Sequence, residues 1–302
     1  MQMRHLRYLV ALGRERHFKR AAQRCHVTQS TLSAAIRQLE TELEVPLIER
    51  DRRFKAFTAE GKVLLEWAAR MVAEREALGQ RIGALRGTLS GSLSIGAVPT
   101  ALPTIGLLTT PVSEAHPGLT LRILSRTSNE IQRLLEEFEL DVGITYLDNE
   151  PMHGVESHPL YAERYILLTP RDGPFQGRER VTWREIADTP LCLLTPDMQN
   201  RRILDAIFAG VGRRANAHAE TNSVMTLCSH IRTGRWSSVL ARNFLWVFGT
   251  PPDMLALPIH EPQCSFSVGV VYRRQDPVPP AVRAFVACAR DVDIETAIDG
   301  AT

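Results

Sequence analysis

Gln29, Ser30, Ser33 and Arg37 follow one another at steps of one, three and four residues, a spacing that a helix gathers onto one face. An amide, two hydroxyls and a guanidinium supply donors and acceptors at short reach. Their chemistry is recognition: short polar groups at a helix N-terminus, with an arginine one turn on, suit the DNA major groove, where base edges present donors and acceptors. The other face carries Leu32, Ile36, Leu39 and Leu43 at steps of 4, 3 and 4, a stripe that calls for burial. Thr28 is placed to cap this helix. Before it, Phe18, Ala21, Ala22 and Cys25 form a shorter helix, with the turn at His26 and Val27. The pair has the pattern of a helix-turn-helix; a helical hairpin serving only as core is the alternative.

The flanking segments decide between the two. A first helix over 3–16 turns Leu6, Leu9, Val10 and Gly13 inward and would pack behind the pair. Pro46 disfavours helix in the residue before it and is expected to end the recognition helix. The run from Glu49 to Phe57 is too short and too charged for a core helix and is expected to form a small hairpin. Its Arg50 and Arg53, with Arg52 and Lys55 beside them, would reach phosphates or the minor groove. Over 1–58 there are twelve Lys and Arg against six Asp and Glu, a net of +6. The whole chain carries +2, so the remainder is −4. A basic module joined to a slightly acidic body fits a polyanionic partner for the first part alone.

Thr58 can cap a long helix over 59–86. Leu64, Ala68, Met71, Leu78, Ile82 and Leu85 run along it as a heptad seam interrupted at Arg75. At ~1.5 Å per residue it spans about 40 Å, too long for the small module to cover. A second copy is the economical partner, and would bring two recognition helices to half-sites about one DNA turn apart; packing on the C-terminal body is the alternative. The small residues of 87–92 read as a hinge. From Leu93 strands and helices alternate, which predicts a mainly parallel sheet with ligands beyond its C-terminal strand ends. The strand at 266–272 and the helix after it lack partners in the second half and are expected to return to the first. The body, 93–302, would then have two lobes, about 93–162 with 266–295, and about 163–265, around a closing cleft.

A length of 302 residues, with 44% hydrophobic and 23% charged, is ordinary for a soluble protein of two or three domains. The first apolar run is too short for a signal peptide and no stretch of ~18 apolar residues could cross a membrane, so the expected location is the cytoplasm. Cys25, Cys192, Cys228, Cys264 and Cys288 are widely spaced without a C-x-x-C, signalling neither a disulfide framework nor a zinc site. Each reads as a buried free thiol, with Cys192 and Cys228 as the alternative pair for a redox switch. No G-x-S-x-G, P-loop, metal-spaced His pair or dinucleotide fingerprint is found, so no catalytic residue, metal or cofactor is expected. An enzyme built on the two-lobed fold, or a solute-binding protein acting on a small anion, remains the alternative; the latter would need export.

The run FKRAAQRCHVTQSTLSAAIRQLETELEVPLIER resembles the LysR-type bacterial transcriptional regulators, as does the order of segments over the full length. Thr58 and Gly61 match the family's L-T-x-x-G entry into the linker helix, while Glu44, Ile48 and Phe57 depart from its usual glycine, phenylalanine and leucine. The resemblance implies an α+β multi-domain chain. Its parts are an N-terminal winged helix-turn-helix, a long dimerisation linker helix, and a C-terminal two-lobed α/β effector domain like a periplasmic binding protein. It implies promoter DNA as partner, met by Thr28, Gln29, Ser30, Ser33 and Arg37 of the recognition helix and by Arg50 and Arg53 of the wing. Gln29 and Ser33 would touch bases, and Arg37 a guanine or a phosphate. It implies a homodimer through 59–86, assembly as a tetramer, and RNA polymerase as a further partner. The cleft would be lined by Pro99, Thr100, Thr127, Ser128, Thr145 and Tyr146 from one lobe, and by Met198, Gln199, Asn200 and Thr221, with Asn222, from the other. These are hydroxyls and amides at or near helix N-termini, where free N–H groups favour an anion, so a small carboxylate is the expected effector; simple N-capping is the alternative for each. Around Ser229–Val239 the family generally has small residues, and Arg235 and Trp236 depart from that.

Overall fold

The computed structural model describes residues 1–50 and 54–299. The chain divides into two compact units, Met1–Gly87 and Thr88–Thr302.

In the first unit three helices, α1 (Met3–Glu15), α2 (Phe18–Arg24) and α3 (Gln29–Leu43), pack on one another. Leu9, Leu12, Leu32, Ile36 and Leu39 are fully buried between them. Leu43, the last residue of the expected stripe, is instead 41% exposed, because α3 ends there and nothing packs over its final turn. The stop is also set differently from the expectation. Glu44 takes φ 58°, a left-handed cap whose N–H bonds back to Glu40, so the helix has closed two residues before Pro46. Strands β1 (Ile48–Arg50) and β2 (Phe54–Phe57) pair antiparallel as the wing.

Helix α4 (Ala59–Leu85) starts at a cap in which Thr58 Oγ1 accepts from Gly61 N at 3.0 Å and donates to the Pro46 carbonyl at 2.7 Å. This junction requires glycine: a Cβ on Gly61 would lie 2.0 Å from the Leu47 carbonyl oxygen. Along α4 only Gly61, Ala68 and Ala69 are buried, beneath the helices that precede it. Trp67, Leu78, Ile82 and Leu85 are exposed, at 53%, 58%, 47% and 89%.

The second unit begins earlier than Leu93. Strand β3 (Ser90–Ala97) pairs from Ser90 onward with β4 (Gly118–Ser125), so Ser90, Gly91 and Ser92 of the expected hinge are sheet backbone. Helix α5 (Ile105–Ala115) joins β3 to β4, and α6 (Ser128–Glu136) leads from β4 to β5 (Val142–Tyr146). Then comes β6 (Val155–Pro170), sixteen residues long, of which only Arg164–Leu168 is evident from pattern. The second lobe follows as β7 (Val181–Thr182), α7 (Trp183–Ala187), β8 (Leu191–Leu194), α8 (Gln199–Gly210), β9 (Ala217–Thr221), α9 (Val224–Ile231), β10 (Ser238–Ala241), α10 (Phe244–Phe248) and β11 (Met254–His260). Strand β12 (Ser265–Arg273) returns to the first lobe, and α11 (Pro280–Arg290) and α12 (Ile294–Asp299) follow.

The sheet runs β4-β3-β5-β12-β6-β11-β7, with β10 also on β6. It is mixed, not mainly parallel: β3 lies parallel to β4 and β5, whereas β12 is antiparallel to β5 and β6. The reason is the returning strand, which enters from the far lobe. Strand β6 ties the lobes together by changing partners. Through Arg164 it pairs with β12, and from Tyr165 it pairs with β10 and then β11.

Candidate functional site

On the first unit, Thr28 caps α3 by accepting from Thr31 N at 3.2 Å, and its hydroxyl lies 2.8 Å from Ser30 Oγ. Gln29, Ser30 and Arg37 are exposed and Ser33 is half-buried, all on the side away from Leu32, Ile36 and Leu39. Gln29 and Arg37 make no side-chain hydrogen bond or ion pair among the described residues. The helix therefore presents a polar face on which Gln29 and Arg37 keep their side-chain donors and acceptors unspent, standing on a fully buried one. Arg50 lies on β1, where its backbone pairs with Phe54. Arg53 lies outside the described residues.

In the second unit the polar residues converge where β6 changes partners. Tyr161, Glu163 and Tyr165 alternate along that strand, so period-two geometry turns all three to one side, and all three are buried. Tyr146, at the end of β5, donates to Glu163 Oε1 and lies 3.0 Å from Thr100 Oγ1. From the second lobe, Asn200 Nδ2 donates to Tyr146 at 3.1 Å and lies 3.5 Å from Tyr165 Oη. Thr145 donates to Gln199 Oε1 at 3.2 Å, a second bond across the lobes. Asn243 Nδ2 donates to the Thr100 carbonyl at 2.8 Å and to Tyr161 at 3.1 Å. Three buried atoms of this cluster lack a partner: Glu163 Oε2, Asn243 Oδ1 and Gln199 Nε2, two acceptors and one donor.

Burial dominates the electrostatics. It pushes the Glu163 carboxyl up to about 7, against the lowering effect of the Tyr146 hydrogen bond and of the nearby Tyr165 and Thr100 hydroxyls. It also raises the hydroxyls of Tyr146, Tyr161 and Tyr165, all of which feel Glu163 as a neighbouring negative charge, so these phenols stay neutral donors.

Of the residues expected to line a cleft, Thr100, Thr145, Tyr146, Gln199 and Asn200 meet in this cluster. Ser128 does not: it lies at the lobe boundary 3.2 Å from Arg202 Nη2, beside Glu150. Thr127 is spent in a capping box with Glu130, and Thr221 Oγ1 accepts from Ser223 N. Pro99 and Met198 are buried without a polar role, Met198 as the N-terminal flank of α8. Asn222 is exposed. Glu163, Tyr161, Tyr165 and Asn243 are not foreseen from sequence. The Tyr-x-Glu-x-Tyr alternation would have revealed the first three had the strand been extended before Arg164.

The expectation of a carboxylate effector is not met by this chemistry. No lysine or arginine is among the hydrogen-bonding groups of the cluster, its acid is itself a carboxyl, and the arginine at the lobe boundary, Arg202, is already paired with Glu150; Arg164 and Arg242 line the adjoining cavity with Tyr161, Glu163 and Asn243. Nor does a thiol enter it. Cys192 is fully buried in the apolar cluster of the second lobe, Cys228 packs against the same cluster, and burial raises both thiols, Cys228 to about 11. Cys25, Cys264 and Cys288 are raised by burial as well. Trp236 stacks with His230 at 5.0 Å between ring centroids, against that same apolar cluster, so its bulk serves packing. Among the described residues no group of three His, Cys, Asp or Glu could hold a metal ion, and no helix is long and apolar enough to cross a membrane.

Residues 3–62 match the bacterial regulatory helix-turn-helix protein of the lysR family, and residues 86–293 match the LysR substrate binding domain. The DNA-binding transcriptional dual regulator OxyR of Escherichia coli K12 is 31% identical over 284 residues, covering 92% of this chain and 91% of that protein. A hydrogen peroxide-inducible genes activator of Haemophilus influenzae is 27% identical over 302 residues, 99% of each chain. Among solved structures, a full-length OxyR variant from Pseudomonas aeruginosa superposes with TM-score 0.77 at 26% identity, covering 97% and 96% of the two chains. Full-length CbnR bound to its target DNA shares the fold, with TM-score 0.69 at 21% identity over 96% and 99% of the chains.

Proposed function

This chain belongs to the LysR family of DNA-binding transcriptional regulators, and from that premise we propose that it binds promoter DNA as a dimer of dimers and responds to a small neutral molecule that hydrogen-bonds between its lobes. The observation that carries the ligand class is the composition of the buried cluster. Thr100, Thr145, Tyr146, Gln199, Asn200 and Asn243 hydrogen-bond around one carboxyl with no cation among them, leaving two acceptors and one donor without partners. An anion brought into the cluster would be set against the Glu163 carboxyl and would meet no hydrogen-bonding cation within it, at a desolvation cost; Arg164 and Arg242 line the adjoining cavity with Tyr161, Glu163 and Asn243. A neutral molecule bearing O–H or N–H groups would satisfy those atoms and draw the lobes together, shifting the population of closed domains.

The Escherichia coli relative regulates transcription, and several relatives are named for induction by hydrogen peroxide. Hydrogen peroxide fits the class, being neutral, very small and able both to donate and to accept. Oxidation of a thiol is not the route favoured here, since a reactive cysteine needs an exposed, electropositive setting and all five thiols are pushed up by burial. Sensing by occupancy is therefore the proposal, with hydrogen peroxide first among the ligands to try.

For DNA, Gln29 and Ser33 would read base edges, Arg37 a guanine or phosphate, and Arg50 and Arg53 the backbone beside them. The exposed apolar residues of α4 support dimerisation through that helix. A thermal-shift panel tests the ligand class. Hydrogen peroxide, urea and formamide should raise the melting temperature of the natural chain and leave Asn200→Ala unmoved. Stabilisation by acetate or benzoate in preference to these would overturn the assignment.

A further inference from the structure

At the lobe boundary, beside the buried cluster, Arg202 of α8 holds Glu150 of the β5–β6 loop in a two-bond fork, Nε to Oε1 and Nη2 to Oε2, each 2.6 Å. The arginine is set in place independently of that carboxylate: its Nη1 donates to the Asp197 carbonyl at 2.7 Å and to the Pro196 carbonyl at 3.3 Å. Ser128 Oγ, buried on the first turn of α6, accepts from Arg202 Nη2 at 3.2 Å and lies 3.5 Å from Glu150 Oε2. Ser128 lies on the first turn of α6, a nine-residue helix whose amino end carries the positive side of the helix dipole, though Thr127 and Glu130 close a capping box there. An oriented guanidinium, a hydroxyl and a helix N-terminus make an oxyanion site, assembled half from each lobe.

We propose that this is an anion subsite of the cleft that the chain fills with its own carboxylate, so that Glu150 both latches the lobes and excludes anionic ligands. The tether decides the competition. A side chain held on a short loop acts at an effective concentration in the millimolar range, so a free carboxylate of ordinary weak affinity does not displace it. Removing the tethered group leaves Arg202, Ser128 and the helix end in place and open. The Arg202 pairing holds the Glu150 carboxyl below the usual carboxylate range, so the latch is charged at neutral pH. Glu150 is in this sense a specificity-determining residue: it closes the subsite to an acid.

The inference rests on the reading of the interlobe region as the sensing site, but its test does not. Full-length protein carrying Glu150→Ala is titrated with sodium acetate by calorimetry, alongside the natural chain and the double variant Glu150→Ala with Arg202→Ala. The single variant should bind acetate more tightly than the natural chain, about tenfold where the open site's Kd is about a tenth of the tether's effective concentration. The double variant should lose that gain. Equal acetate binding by the natural chain and the single variant would overturn the proposal, as would a gain that survives loss of Arg202. Should Glu150→Ala fail to fold, Glu150→Gln replaces it, keeping the shape and one hydrogen bond. A gain there in the same direction supports the subsite, and no gain overturns it. An acetate gain without any response of either protein to neutral ligands would instead sink the sensing reading and leave the subsite standing.

Discussion

Tyr146 donates its phenolic hydrogen to Glu163, and that bond joins β5 of the first lobe to β6, the strand on which the two lobes exchange. Asn200 bonds the same phenol from across the cleft. A carboxyl that is fully buried and raised to about 7 thus sits where any change in lobe closure must be felt.

The first consequence is a dependence of stability on pH. The folded chain holds the Glu163 proton to higher pH than the unfolded chain does. Between the unfolded carboxyl range and about 7 the native state therefore binds more protons, and stability falls as pH rises through that window, then levels. Glu163→Gln removes the titration. Chemical denaturation at pH 5 and pH 8 should show the natural chain losing on the order of 3 kcal/mol relative to the variant. Parallel profiles would show that Glu163 does not titrate with folding.

On the DNA face, Gln29→Ala should cost about 1 to 3 kcal/mol on the preferred site and relax discrimination at one base pair. Arg53→Ala should weaken all sequences alike and lower the salt slope of binding. Gel shifts on the preferred and scrambled sites separate the two. A uniform loss for Gln29→Ala across scrambled sites would remove its base-reading role.

Two backbone positions in the first unit carry opposite expectations. Glu44 holds a left-handed conformation that glycine adopts freely, so Glu44→Gly should stabilise the unit by roughly 1 kcal/mol. Gly61 faces the Leu47 carbonyl at a distance no Cβ tolerates, so Gly61→Ala should destabilise by about 1 to 3 kcal/mol. Thermal denaturation checks both, and a stabilising Gly61→Ala would contradict the close packing of α4 on the wing.

Leu78 and Ile82 are exposed on α4 in the chain taken singly. Replacing both by lysine should leave the fold intact and lower the mass seen in sedimentation equilibrium from that of four chains to that of two or fewer. An unchanged mass would place the interface elsewhere.

The winged helix-turn-helix is legible in sequence because Leu32, Ile36 and Leu39 keep strict helical spacing and are bounded by Thr28 at one end. The wing is legible because a charged run of that length has no core to join. The two-lobed class follows from alternating strand and helix patterns. What is not legible has physical causes. The first half of β6 alternates polar and apolar residues with Glu163 at an inward position, where a hydrophobic pattern search expects none. Strand β12 crosses back from the far lobe, and no local signal gives its direction. The carboxylate expectation failed because hydroxyls and amides at helix starts are common to anion sites and to neutral ones. Only the position of Arg202, already occupied by Glu150, separates them.

We propose that the interlobe cluster, and not a thiol, governs the DNA-bound state. DNase footprinting on the DNA upstream of the gene tests it, using the full-length natural chain, Asn200→Ala, and a variant with all five cysteines replaced, each with and without hydrogen peroxide. Asn200→Ala should alter the protected length, and the cysteine-free protein should give the natural footprint and the natural response to peroxide. A peroxide-dependent change in the natural chain that the cysteine-free protein lacks, with Asn200→Ala unchanged, would contradict it.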